Sequence, residues 1–250
     1  MKRKIVFITD CTDVAYSELR AVTLTHLESL GVADTVDIEP VAAVYPFSII
    51  NGAFILRLLA EVYPPGTVFS IILNPSQKRP ERIIGKTQKK DFIFLGANTG
   101  VFEWFLKEFG ISELYELHDP GFVPFGGKYV HAPNAARAAA GMNISELGSS
   151  FNAENLLGLE AEIGTIIHVD NFGLMKIKMD LDEENFGKTI RLSVNGNLIE
   201  AHQGRRMMEY GTGEWVIYPG SSLGYPELGM VRRNGAQILN AAPGDIVRFS

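Results

Sequence analysis

The sequence predicts a two-domain chain: an α/β N-terminal domain over residues 1–150, built on a largely parallel sheet, and an all-β C-terminal barrel domain over residues 151–250. Three observations carry this. Strand-like apolar runs alternate with helix-like segments through roughly the first 150 residues, as they do where helices cover both faces of a sheet. After about Gly148 the texture changes to short β-type runs separated by Gly, Asn and Asp clusters. At 250 residues the chain also exceeds a typical domain of about 100–150 residues.

Residues 4–10 (Lys-Ile-Val-Phe-Ile-Thr-Asp) form an apolar run ending in polar residues, the pattern of a buried strand that delivers a loop at its carboxyl end. Residues 16–30 set Leu19, Val22, His26, Leu27 and Leu30 at three- and four-residue spacings and stop at Gly31, which predicts a helix. Residues 32–38 read as a second strand. Residues 51–63 carry Phe54, Ile55, Leu58, Leu59 and Val62 at helical spacing and end before Pro64-Pro65-Gly66. A third strand follows at 67–73. Residues 91–95 predict a strand entering Gly96-Ala97-Asn98-Thr99-Gly100, and 101–109 an amphipathic helix. Proline opens the Ala-rich helix of 133–141. In the second half, strands are expected at 161–169, 174–179, 189–194, 197–201, 214–218 and 245–249, with Asn195-Gly196 a two-residue hairpin signal. The domain boundary falls within 146–160, whose Gly-Ser-Ser stretch suits a linker.

Composition narrows the function. With 46% hydrophobic and 21% charged residues, and no run approaching the roughly 18 apolar residues of a membrane span, the chain reads as a soluble globular protein with no membrane partner. A net charge of −6, from 29 acidic and 23 basic side chains, argues against a broad nucleic-acid surface and leaves room for a local anion pocket. Cys11 is the single cysteine, and Met1 leads straight into a strand without a signal-peptide pattern, so a reducing, cytoplasmic setting is expected. The five histidines form no HExxH pair, and GxGxxG, GxxxxGK[ST] and GxSxG are all absent. No protein-bound metal is expected.

Four loops remain. Thr9-Asp10-Cys11-Thr12-Asp13 ends the first strand, where a carboxylate can hydrogen-bond a ribose diol; the plain alternative is that Asp10 and Asp13 cap the next helix. Asn74-Pro75-Ser76-Gln77 ends the third strand and faces the same rim, though alone it is an ordinary turn. Val169-Asp170-Asn171-Phe172-Gly173 and Arg232-Arg233-Asn234-Gly235-Ala236 each read alone as turns between strands.

Their order says more. A strand ending in Thr-Asp, a Pro-Pro-Gly-Thr-Val strand ending in Asn-Pro, an Asn-x-Gly loop, a Phe-Gly-Gly…His-Ala-Pro-x-Ala-Ala segment, an Asp-Asn-Phe-Gly turn and a terminal Asn-Gly-Ala together resemble the S-adenosylmethionine (SAM) hydroxide adenosyltransferases, relatives of the fluorinating and chlorinating enzymes. The resemblance runs from Ile5 to Phe249. It implies a homotrimer with SAM held between one subunit's first domain and its neighbour's second, and SAM as substrate with no cofactor. It implies Asp13 on the ribose hydroxyls with Asp10 supporting the loop, Asp170 at the sulfonium and amino-acid end with Phe172 in the same turn, and Ser222 near the methionine carboxylate. Asn234 and Ala236 would meet the adenine edge, with Tyr210 a stacking ring.

The implied reaction is attack of water at C5′ of SAM, giving adenosine and L-methionine by metal-free in-line displacement; the protein aims the nucleophile and excludes competing water. The family's Asp-Arg-His set for hydroxide is not preserved: the Asp position reads Asn74 and the His position Gly126, and the arginine is Arg82 or Arg79. His131 is expected to pack locally at the following helix start rather than act as a base. Three readings stay open. The chain cleaves SAM with water through Asn74, Lys128 and an arginine; or it binds a nucleoside without catalysis; or it transfers adenosyl to another nucleophile, such as a halide held by amide and backbone N–H groups.

Overall fold

The first predicted strand is β1 (Arg3–Thr9), and the chain continues through α1 (Val14–Ser29), β2 (Val36–Ile38), β3 (Ala42–Ala43), α2 (Ile49–Val62), β4 (Val68–Ile72) and β5 (Arg82–Lys86). After these come β6 (Ile93–Ala97), α3 (Glu103–Phe109), β7 (Glu113–Leu117), α4 (Ala132–Ala139) and β8 (Gly148–Ser150). This computed structural model describes residues 2–73, 80–118, 120–121 and 123–249, and the chain divides into two units, Met1–Leu159 and Glu160–Ser250.

Among the described residues, the strands of the first unit form one sheet in the order β2-β1-β4-β6-β5-β7-β8, with β3 also on β1. The expected largely parallel sheet holds for one half only. β1 is parallel to β2, β3 and β4, and β4 to β6, whereas β5 runs antiparallel to β6 and β7, and β7 to β8. The sheet is mixed. The reason is connection length: residues 87–92 join β5 to β6, and a parallel return needs a crossover of a dozen residues or more. The Gly-Ser-Ser stretch expected as linker is β8, hydrogen-bonded to β7.

Alternation along β1 and β4 divides the core. Ile5, Phe7, Val68 and Ile72 pack with Leu19 and Leu27 of α1 and the alanines of α4. On the opposite side, Phe69 meets Phe92 and Phe105 edge-on at 5.2 and 6.0 Å, and Phe92 meets Phe109 at 5.3 Å, which places α3 over that face. The ligand rim of such a sheet lies at the carboxyl ends of its parallel strands.

The second unit contains β9 (Ile166–Val169), β10 (Met175–Ile177), β11 (Thr189–Val194), β12 (Asn197–Gln203), β13 (Trp215–Pro219), β14 (Pro226–Met230), α5 (Gly235–Leu239) and β15 (Arg248–Phe249). The strand order is β15-β11-β12-β13-β14-β10-β9. Asn195 and Gly196 take φ of +50° and +79°, as a two-residue hairpin between β11 and β12 demands. The expected all-β barrel holds in part. The unit includes α5, and among the described residues its outer edges meet through the isolated Thr165–Ile246 bridge and three backbone hydrogen bonds between residues 164–166 and 244–247, so the sheet curls into a partial barrel. Its core is Ile166, Met175, Ile177, Leu192, Ile217, Leu228 and their neighbours. Among the described residues, no helix is long and apolar enough to cross a membrane.

Candidate functional site

Each unit gathers part of the predicted residues. In the first unit the loop after β1 is fastened at several points. The Thr9 carbonyl accepts from Val44 N–H at 2.9 Å, Thr9 Oγ1 accepts from Cys11 N–H at 3.0 Å, and Asp10 Oδ2 accepts from Phe47 N–H at 3.0 Å. Asp10 thus ties this loop to the one entering α2. Phe47 has φ of +63° and stands 69% exposed there. Asp13 is the N-cap of α1, with Oδ1 accepting from Ala15 N–H at 3.0 Å. That is the plain alternative considered for this residue, and it leaves Asp13 exposed with its other oxygen turned to no described partner.

Asn74 and Arg79 lie outside the described residues. Arg82 opens β5, and its guanidinium fills the space over Gly126: a Cβ built there would overlap Nη2 and sit 2.9 Å from Cζ. A side chain at 126 and Arg82 in this pose exclude each other. Gly126 leads into a single π-helical turn, Gly127–His131, that runs directly into α4. Lys128 lies in that turn and reaches α1, where its Nζ meets Glu18 Oε1 at 2.6 Å, and this hydrogen bond raises its pKa. Its ammonium also stands 5.5 Å from the Tyr129 ring. His131 is buried at the end of the turn, on the threshold of α4.

The Asn-x-Gly loop is a clamp. Asn98, 2% exposed, donates from Nδ2 to Glu81 Oε2 at 3.3 Å and to the Asn155 carbonyl at 3.0 Å, and its Oδ1 accepts from Leu157 N–H at 2.9 Å. Glu103 accepts from Leu159 N–H. Between the loop, α3 and residues 156–158 lies a cavity of about 410 Å³ lined mainly by Phe102, Leu106, Leu156 and Leu157.

In the second unit, two of the turns meet. Asp170 Oδ1 accepts from the N–H groups of Phe172 and Leu174, both at 2.9 Å, so the turn between β9 and β10 is wrapped around its own carboxylate. Oδ2 accepts no hydrogen bond among the described residues. Gly173, with φ of +81°, lets Asn234 approach so closely that a Cβ there would overlap the amide, and its carbonyl accepts from Ala236 N–H at 3.1 Å. Asn234 in turn caps α5 through Gln237 N–H at 2.8 Å. Asp170, Phe172, Asn234 and Ala236 are therefore neighbours, with Phe172 69% exposed. Tyr210 and Ser222, the other two predicted residues of this unit, have contacts of their own. Tyr210 stacks on His202 at 4.7 Å and 12°, against Gly204, and Ser222 lies in the β13–β14 turn, its carbonyl accepting from Tyr225 N–H at 3.2 Å.

Sequence reasoning did not find one group. Lys176 and Glu227 are buried at 7% and 6% exposure and form an ion pair, and Tyr218 Oη donates to the second oxygen of Glu227 at 2.6 Å. Burial first, and then this hydrogen bond, push the phenol's pKa up. His168, beside them, is held below its ordinary value chiefly by burial and then by Lys176. The available signal was a charge interrupting the apolar strand runs Met175-Lys176-Ile177 and Glu227-Leu228. Among the described residues, no three His, Cys, Asp or Glu side chains are grouped so as to hold a metal ion.

An α/β unit with an acidic loop after its first strand, followed by a curled β unit that presents an anchored carboxylate, defines the class of this two-unit protein. The chain belongs to the SAM hydroxide adenosyltransferase family, whose N-terminal domain model matches residues 5–148. A protein of Nocardia brasiliensis named fluorinase is 20% identical over 240 residues, 78% of each chain. Two solved structures share the fold. An uncharacterized conserved protein of Thermotoga maritima has a TM-score of 0.80 at 23% identity, over 98% of this chain and 99% of its own. A conserved hypothetical protein of Thermus thermophilus has a TM-score of 0.76 at 21% identity, over 99% of this chain and all of its own.

Proposed function

We propose that this protein binds SAM and cleaves it at C5′ with water. Water oxygen forms the new C5′–O bond as the C5′–S bond breaks, the electron pair leaves with sulfur as neutral methionine, and a proton is released to solvent with adenosine as the other product. The family match over residues 5–148 carries this reading. It is supported by the open oxygen of Asp170, a hydrogen-bond acceptor and counter-charge for the sulfonium and amino-acid end, and by Asp13 with a second oxygen available to a ribose diol. In this reading Asp10 supports the β1 loop, Asn234 and Ala236 meet the adenine edge with Tyr210, and Ser222 meets the carboxylate. Arg82 takes the anion-stabilising role, with Asn74 and Lys128 as further polar groups. The protein acts as a cytoplasmic homotrimer with sites shared between subunits.

One observation favours a second nucleophile. Arg82 occupies the space over Gly126 where the resemblance implies a histidine, and a guanidinium stabilises an anion without removing a proton from water. Chromatography of the purified protein with SAM, alone and with chloride or fluoride, separates the readings. Hydrolysis gives adenosine and methionine at a rate indifferent to halide and lowered at least tenfold in Asp170→Ala with folding intact. A halogenated nucleoside appearing only with halide selects the second nucleophile. SAM binding without any new nucleoside overturns catalysis.

A further inference from the structure

Strand register in the second unit lines up four polar side chains. His168 on β9 is opposite Lys176 on β10, Lys176 is opposite Glu227 on β14, and Glu227 is opposite Tyr218 on β13. The adjacent row, Val169-Met175-Leu228-Ile217, belongs to the hydrophobic core. Because side chains alternate across a sheet, the polar row lies on the face opposite that core. Asp170 follows directly after the end of β9, and its charge acts on both His168 and Tyr218 of this row.

A buried ion pair on a non-core face calls for a reason other than stability. Removing two charges from water costs about as much as their attraction returns, and well-packed apolar residues would do as well or better. Here the carboxylate of Glu227 is fully engaged: one oxygen takes Lys176 and the other orients the phenol of Tyr218. Lys176 and Glu227 cancel, and His168 is held toward its neutral form by burial. Asp170 is then the charge in this group that nothing within the row offsets.

We propose that the Lys176–Glu227 pair is the specificity device of the Asp170 subsite: Glu227 positions Tyr218 on this face, and Lys176 cancels the charge that doing so would add, so that Asp170 alone sets a preference for a cationic ligand group. This rests on the SAM-binding reading above and names residues that reading does not use. Lys176 and Glu227 are positioning residues, since neither is accessible to a ligand.

The test compares SAM with S-adenosylhomocysteine, which lacks the sulfonium charge, by calorimetric titration at pH 8. In Glu227→Gln the Lys176 charge is uncompensated, and the ratio of SAM affinity to S-adenosylhomocysteine affinity falls about tenfold, on the order expected for one added charge near a partly buried site. In Lys176→Gln the ratio rises several-fold. The double variant Lys176→Gln/Glu227→Gln returns it to within twofold of the wild type, a rescue that a merely structural role would not produce. If one single variant fails to fold, the other carries the test, because the expected directions are opposite. Unchanged ratios in folded single variants overturn the inference while leaving the SAM reading intact. A wild-type protein that binds neither ligand removes the SAM reading, and this inference falls with it.

Discussion

Gly126 has φ of −57° and ψ of −34°, an ordinary helical conformation that any residue adopts, so the missing side chain there answers to space and not to the backbone. The space is taken by Arg82. Because the overlap would fall on the far end of a flexible side chain, Gly126→Ala is expected to move the guanidinium rather than unfold the protein. The melting midpoint should shift by no more than about 2 °C, while under the proposed cleavage of SAM turnover falls about a hundredfold, the lower end of the cost of losing one charge-stabilising donor. Equal turnover in the two proteins would show that the position of Arg82 does not matter to the reaction. Asp170 illustrates the complementary case, where a side chain is fixed by two N–H groups of its own turn and one oxygen stays open. Such an arrangement costs little to hold because the turn itself needs the first oxygen.

At the scale of elements, the Asn98 clamp joins the β6–α3 loop to residues 155–157 through hydrogen bonds made by one buried amide. Asn98→Ala leaves Leu157 N–H and the Asn155 carbonyl without their partner, a loss of about 2 kcal/mol confined to that segment. Hydrogen exchange at Leu157 should then quicken by about thirtyfold, converting that energy at 1.4 kcal/mol per decade, with β1 and β4 unaffected; unchanged protection at Leu157 would remove the clamp from the account. The same contrast between local and long-range forces decides which elements were legible in the sequence. β1, α1, α2, β4 and α3 each bury a continuous apolar run or stripe, which periodicity reveals. β5 (Arg-Ile-Ile-Gly-Lys) and β7 (Glu-Leu-Tyr-Glu-Leu) carry about as many polar as apolar residues and owe their state to the strands beside them, so they were missed, and with them the antiparallel half of the sheet. β14 begins at a proline and was missed as well. In the site, Asp170 and Asn234 were readable because Asp-Asn-Phe-Gly and Asn-Gly-Ala are turn chemistry written in consecutive residues. The Lys176–Glu227 pair joins residues 51 apart, and only the register of β10 against β14 brings them together.

Over the whole molecule the two units carry separate hydrophobic cores, one built on β1, β4, α1 and α4 and the other within the curled sheet. Global stability therefore includes the terms of a buried polar row that belongs to only one of them. His168 has a folded pKa below its ordinary value near 6.5, chiefly because burial disfavours the imidazolium. As pH falls below about 6.5, the unfolded chain takes up a proton that the folded chain does not, so stability declines with acidification and levels off once the folded-state pKa is passed. Asp37, whose pKa is lowered by its hydrogen bond to Lys4, acts in the same direction at lower pH, since its contribution is present above the carboxylate range and is lost as pH drops through its folded value. Tyr218 works at the other extreme: its raised pKa means that above about pH 10 the unfolded chain ionises first and stability falls again. The neutral range is thus where the row is both assembled and charge-balanced. Thermal unfolding followed between pH 7.5 and 5.0 is expected to lose about 2–4 °C more in the wild type than in His168→Gln, which has no proton to take up over that interval. Parallel curves for the two proteins would mean that His168 titrates alike folded and unfolded, and would remove burial of the imidazole as the source of the acid sensitivity.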